Sequence, residues 1–277
     1  MAEEQKLVGT VSRVAEFLRY LAEHEDAVTI SAVARDLSLP PSTVHRLLHL
    51  LVDEGFVEHD PGFQTYRIGS ELYRVCGLVS ARGILPRLAE PFINELVAET
   101  NESSLLCMYL PVDRAITVVA SGSVPNTLTY PIEKYSTLPI VWGATGRAIL
   151  AYLAQSEIRS IYDAAAPSPT TGATLPRYDK FLAEMRKIKS RGYAKTSGQK
   201  VVGAVGLAAP VFGPAGNPVA SLCLTIPEFR FNPAREATLG SILVEKADAL
   251  SHANGYGLAS TTAGRRRGRA SVKALEK

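Results

Sequence analysis

Leu37–Phe56 reads LSLPPSTVHRLLHLLVDEGF. Leu39 precedes two prolines, and a residue before proline avoids the helical region, so the chain turns here. Pro41 and Ser42 then start a helix that ends near Gly55. At about 100° per residue, Val44, Leu47, Leu48 and Leu51 gather on one arc. Ser42, Arg46, His49 and Asp53 gather on the opposite arc, with His45 beside them. The apolar arc is suited to pack on neighbouring helices. The polar arc carries no acid before Asp53.

Two helical patterns precede this segment. The first runs from about Gly9 to Ala22 with Val11, Val14, Phe17, Leu18 and Leu21 on one face. The second follows an N-cap at Thr29 or Ser31 and turns Val33, Ala34 and Leu37 inward. After the third helix, Phe56-Val57 and Tyr66-Arg67-Ile68 read as strands joined by the turn signal Asp60-Pro61-Gly62. Three helices and a hairpin in this order predict a winged helix-turn-helix over residues 1–69. A recognition helix presents its first turns to base edges. Ser42, Thr43, His45, Arg46 and His49 are therefore the expected DNA contacts. From the wing, Gln64 and Arg67 are expected to alternate outward on a strand. His45 and His49 have metal-pair spacing, but no glutamate motif or third ligand accompanies them, so no metal site is expected.

Ser70 to Ser80 reads as a linker helix within a linker over residues 70–85. A second domain is expected over 86–253. It begins with a helix from Pro86 to Thr100 and changes to strands at SSLLCMYL, RAITVVAS and TLTYPI. A helix from Ala144 to Leu153 and an amphipathic helix from Arg177 to Arg191 follow. Strands from Gly203 to Phe212 and Pro218 to Ile226 flank GPAGN, and a last helix runs from Pro233 to Ala253. Residues 254–277 are expected to form a disordered basic tail.

The 277 residues carry a net charge of +3, and 46% are hydrophobic, which excludes a mainly disordered chain. The charge is uneven. Residues 264–277 carry a net +5, whereas residues 1–70 hold six Lys/Arg against eleven Asp/Glu. DNA binding by the first domain must then come from charge placement on one face. Three scattered cysteines and an acidic start, MAEEQK, point to a soluble cytoplasmic protein without disulfides, zinc ribbon or signal peptide. No stretch is long and apolar enough for a membrane helix. GxSxG, Walker A, GxGxxG and HExxH are all missing, and no histidine lies between His59 and His252. No cofactor and no catalytic residue are expected.

LSLPPSTVHRLLHLLVDEGFVEHD…YRIGSELYRV resembles the N-terminal winged helix of IclR-type bacterial transcription regulators. TLPIVWGATGRAILAYL and RGYAKTSGQKVVGAVGLAAPVFGPAGNPVASLCLTIP are similar to that family's pocket segment and closing strand pair. The likeness spans about residues 7–253. It implies an α+β chain: a winged helix-turn-helix, a linker helix and a C-terminal α/β GAF-like effector-binding domain. It implies a regulator of a catabolic operon, dimeric or tetrameric on a palindromic operator. Position by position it implies effector contacts from Met108, Tyr130, Trp142, Ala144, Thr145, Ser197, Cys223 and Thr225. Gln199 stands where the family commonly has glutamate. An amide there favours an organic acid over a metal or a cationic effector, and Tyr130 and Trp142 point to an aromatic one. The rival readings are an enzyme or a ligand-binding protein using the C-terminal pocket, with the winged helix as a protein-interaction module.

Overall fold

The computed structural model describes residues 9–24, 26–82, 84–124, 130 and 133–257. The basic tail from residue 258 onward lies outside them, as does the expected strand TLTYPI apart from Tyr130. Two compact units divide at Gly83, and each is built around its own core.

In the first unit, α1 (Thr10–Glu23), α2 (Ile30–Asp36) and α3 (Pro41–Asp53) are followed by the antiparallel strands β1 (Val57–Asp60) and β2 (Thr65–Ile68). Thr29 caps α2 by accepting a hydrogen bond from the Ala32 amide at 3.2 Å. Pro41 occupies the first turn of α3, where its missing N–H costs nothing. Val44, Leu47, Leu48 and Leu51 all face the core with Phe17, Leu21 and Val33. Val28 pairs with Tyr66 as a one-residue third strand. A side chain at Gly69 would strike the Gly55 carbonyl, so the hairpin closes against the end of α3 only because this position is glycine. The unit ends in α4 (Ser70–Arg82).

The second unit opens with α5 (Ile84–Thr100), two residues earlier than Pro86. Then come β3 (Ser103–Leu110), β4 (Ala115–Gly122), β5 (Leu138–Pro139), α6 (Ala144–Leu150) and α7 (Gln155–Asp163). α8 (Tyr178–Arg191), β6 (Ala194–Ser197), β7 (Ala204–Phe212), β8 (Pro218–Pro227) and α9 (Glu236–Ala253) complete it. The six strands lie in the order β5-β4-β3-β8-β7-β6, with every pairing antiparallel. α5 and α9 cover one face of this sheet, where Leu106, Leu222 and Leu224 pack on Leu96 and Leu243. α6, α7 and α8 cover the other, where Leu105, Cys107 and Cys223 meet Ile149, Ile158 and Phe181. Residues 254–257 form a turn that packs on β7: Asn254 donates to the Phe212 carbonyl at 3.3 Å, and Tyr256 lies 5.3 Å from the Phe212 ring. Those four residues therefore go with the folded unit and not with the tail.

Candidate DNA interface and effector cavity

α2 and α3 are joined by a tight turn in which Ser38 takes φ 53° and the Leu39 amide donates to the Ala34 carbonyl at 2.9 Å. Burial of the apolar arc leaves Ser42, His45, Arg46 and His49 exposed along one side of α3, and Thr43 half-buried. Arg46 has no hydrogen bond or ion pair among the described residues, so its guanidinium is available to a base or a phosphate. His45 and His49 approach Nε2 to Nε2 at 3.2 Å, which requires one ring to donate and the other to accept. Among the described residues no three His, Cys, Asp or Glu side chains form a metal-binding group.

The wing departs from the expectation at Gln64. This residue ends the turn with φ 55° and donates its amide to the Pro61 carbonyl at 2.9 Å, so it does not alternate with Arg67 on a strand. Asp60 organises the turn by accepting from the Gly62 amide at 2.9 Å. Arg67 is exposed but lies across the hairpin on Glu58 at 3.0 Å. A phosphate would have to compete with that carboxylate. Phe63 stands exposed at the tip.

In the second unit a cavity of about 260 Å³ opens between the sheet and the start of α6. Ala144, Thr145, Tyr130, Cys223 and Thr225 line it. Cys223 and Thr225 reach it together because alternate residues of β8 share a face. The Tyr130 hydroxyl donates to the Gly203 carbonyl at 2.5 Å and so fixes one wall. Three expected contacts do not line the cavity. Met108 is on the opposite face of β3 and packs with the α5/α9 core, because Leu105 and Cys107 take the cavity side. Trp142 is buried outside the cavity lining, its indole donating to the Ala166 carbonyl at 3.1 Å. Ser197 is exposed and donates to Glu228 at 3.0 Å; its neighbour Thr196 is the residue that faces in.

The cavity also holds groups that the sequence reading did not single out as contacts. Lys200 extends its Nζ to within 3.5 Å of Thr145 Oγ1 and makes no ion pair among the described residues. Its stem runs past Gly143, where an added Cβ would sit 3.2 Å from Lys200 Cβ and Cδ; Gly143 also takes φ 84°. Ser136 Oγ and Gln199 Oε1 are both shut off from solvent without a hydrogen-bond partner among the described residues. Burial pushes the Cys107 thiol up to about 11 and the Cys223 thiol up to about 12, so neither is a ready nucleophile. α6 has seven residues and is clamped from behind. Buried Arg147 donates to the Val141 carbonyl at 3.0 Å and to Glu184 of α8 at 2.6 Å. Gly146 admits the Ile140 carbonyl, which any side chain there would strike.

Comparison with known proteins gives the same division. Residues 78–252 match the family model described as the bacterial transcriptional regulator IclR C-terminal domain, and residues 10–61 match the IclR helix-turn-helix domain. The HTH-type transcriptional regulator BhcR of Paracoccus denitrificans is 25% identical over 250 residues, covering 90% of this chain and 88% of its own. An IclR transcriptional regulator from Silicibacter sp. TM1040 superposes with a TM-score of 0.78 at 24% identity, covering 90% of this chain and 97% of its own. An IclR homologue from Microbacterium hydrocarbonoxydans, crystallised with 4-hydroxybenzoate, superposes with a TM-score of 0.71 at 20% identity, covering 89% and 99%. The chain belongs to the IclR family of bacterial transcriptional regulators. Its first unit is the DNA-binding helix-turn-helix and its second the effector-binding domain.

Proposed function

We propose that this IclR-family chain works as a cytoplasmic dimer or tetramer on a palindromic operator, and that a small organic acid in the α6 cavity changes its operator affinity. Lys200 carries the second half of this reading. A cation without a carboxylate partner, set among apolar and hydroxyl-bearing walls, favours an anionic guest of modest size. The aromatic acid bound by the Microbacterium homologue supports the same class of ligand. Arg46, with Ser42 and His45 beside it, is the base-reading group, and Thr43 and His49 flank it. Arg67 and Gln64 of the wing serve the backbone. An effector acts by binding one arrangement of the oligomer better than another, and the coupling is limited by that difference, typically about 5–150-fold in affinity.

A gel shift on DNA from upstream of the protein's own gene, with and without aromatic and aliphatic acids, tests this. At least one acid should change operator affinity. Arg46→Ala should cost about 1–3 kcal/mol on the operator and little on random DNA. Indifference to every acid would sink the effector half. An unchanged operator affinity in Arg46→Ala would sink the assignment of α3.

A further inference from the structure

We propose that His45 and His49 form a site for a divalent transition-metal cation of the zinc class on α3, and that an ion held there lowers operator affinity; the second clause rests on the DNA-reading assignment of α3 above. From the sequence no metal site is expected, for want of a third protein ligand. The structure adds where the donor atoms point: the two Nε2 atoms converge to 3.2 Å. Two imidazole nitrogens at that separation, each about 2.0–2.1 Å from one zinc ion, subtend about 100° at the metal, close to a tetrahedral angle. The rings already stand at the spacing of two ligands on one ion, and water completes the shell. Such a site needs no group of three protein ligands, and none forms among the described residues. Imidazole suits zinc, nickel and copper, whereas magnesium and calcium take oxygen ligands.

The helix holds this geometry from behind. Val44, Leu47 and Leu48 are wholly buried on its other side, so the backbone that sets the histidine spacing is fixed, while both rings are open to solvent. Among the described residues each ring's only hydrogen-bond partner is the other. The one charged side chain between them in sequence, Arg46, is exposed and makes no ion pair among the described residues, so it is free to turn away from a cation. Residues 1–70 hold six Lys/Arg against eleven Asp/Glu, an excess of acid that favours cation uptake. Without an ion, one ring carries its proton on Nε2 and donates to the other. With an ion, both Nε2 lone pairs point to the metal; that proton passes to Nδ1 of the same ring, and none is lost overall. The hydrated ion then stands on the helix face that must approach base edges. Reading bases requires hydrogen-bond contact across that face, whereas phosphate contacts only position the protein and carry no sequence information. Operator affinity therefore falls, and attraction to random DNA does not.

The test is calorimetric titration of the full-length protein with Zn²⁺, and separately with Mg²⁺, for wild type, His45→Asn and His49→Asn. Wild type should show a zinc site that both variants lack or fill at least about tenfold more weakly, and Mg²⁺ should not occupy it. Zinc should raise the thermal midpoint of wild type more than that of either variant, because the ion ties two successive turns of the folded helix. The same melts without metal establish that each variant is folded. Gel shifts then compare each protein with itself, with and without zinc. Zinc should weaken wild-type operator binding at least about tenfold, leave random-DNA binding in place and leave the operator affinity of both variants unchanged. Equal zinc titrations for all three proteins would overturn the site. A filled site with unchanged operator affinity would overturn its effect on DNA. A metal-free wild type that binds operator no better than random DNA would overturn the reading of α3 and the second clause with it, while the titration decides the site independently.

Discussion

Cys107 and Cys223 project from neighbouring strands into the cavity-side core, and burial raises both thiols, to about 11 and about 12. Two consequences follow at the residue level. At neutral pH both remain protonated, so a thiol reagent should leave them unmodified until denaturant is added; prompt native-state labelling of either would contradict their burial. A thiol whose folded pKa lies above its unfolded value of 9.0 contributes its full stability below pH 9. The unfolded chain then ionises first, so stability should fall as pH rises from about 9 toward about 12. Urea midpoints for wild type and the Cys107→Ala/Cys223→Ala pair, compared at pH about 8 and about 10.5, measure this. The wild type should lose more. The cavity-side placement of Cys223 was legible because its strand parity with Thr225 is plain in the sequence. Met108 was not, because β3 is covered on both faces and its apolar run carries no mark of which side is which. Lys200 sits in a loop, where no periodicity tells a reader which way a side chain points.

Beside the cavity, α6 and α8 are tied by a part-buried ion pair. Arg147 has a side-chain exposure of 4%, whereas its partner Glu184 on α8 has 34%. The two halves should therefore not be equivalent. Glu184→Ala strands a buried guanidinium and should cost about 3–5 kcal/mol. Arg147→Met removes the buried charge, leaves Glu184 to water and loses the bond to Val141, at about 1–3 kcal/mol. Urea denaturation decides it: a larger loss in Arg147→Met than in Glu184→Ala would reverse the argument. Neither effect is visible in the sequence, since Arg147 and Glu184 are 37 positions apart. α3 was readable because its two arcs are cleanly separated and proline marks its start. α7 was missed because only Ile158 and Ile161 of its nine residues are buried, too few to show a period. β6 was missed because AKTS is a four-residue edge strand without a β-branched run. The resemblance implies Ser197 as a contact, whereas on β6 it is Thr196 that lines the cavity.

For the whole molecule, the charge distribution and α4 bear on the same question. A first unit rich in acids cannot hold DNA by bulk attraction. Under the proposed oligomer, operator affinity rests on presenting two copies of Arg46 together, about 34 Å or a multiple of it apart, on a palindrome. That proposal needs a surface that joins two copies, and α4 is the candidate. Leu72, Val75, Cys76 and Val79 fall on one arc of this helix. Val79 is 65% exposed and neighbouring Tyr73 is 70% exposed in the single chain. A helix face this apolar is costly in water and would be covered if a second copy packed along it. Val79→Glu would place two like charges near a two-fold axis in a desolvated seam. Sedimentation should then show a monomer of 29.8 kDa in place of the wild-type oligomer. The far-ultraviolet spectrum should be unchanged, because the position is exposed in the free chain. Footprinting should follow the mass. Wild type should protect two half-sites about one turn apart. The variant should lose at least about tenfold in operator affinity, because the second half-site no longer binds as part of one molecule. If Val79→Glu kept the wild-type mass and footprint, α4 would not be the surface that joins the copies, and the spacing of the two recognition helices would have to be set by the second unit.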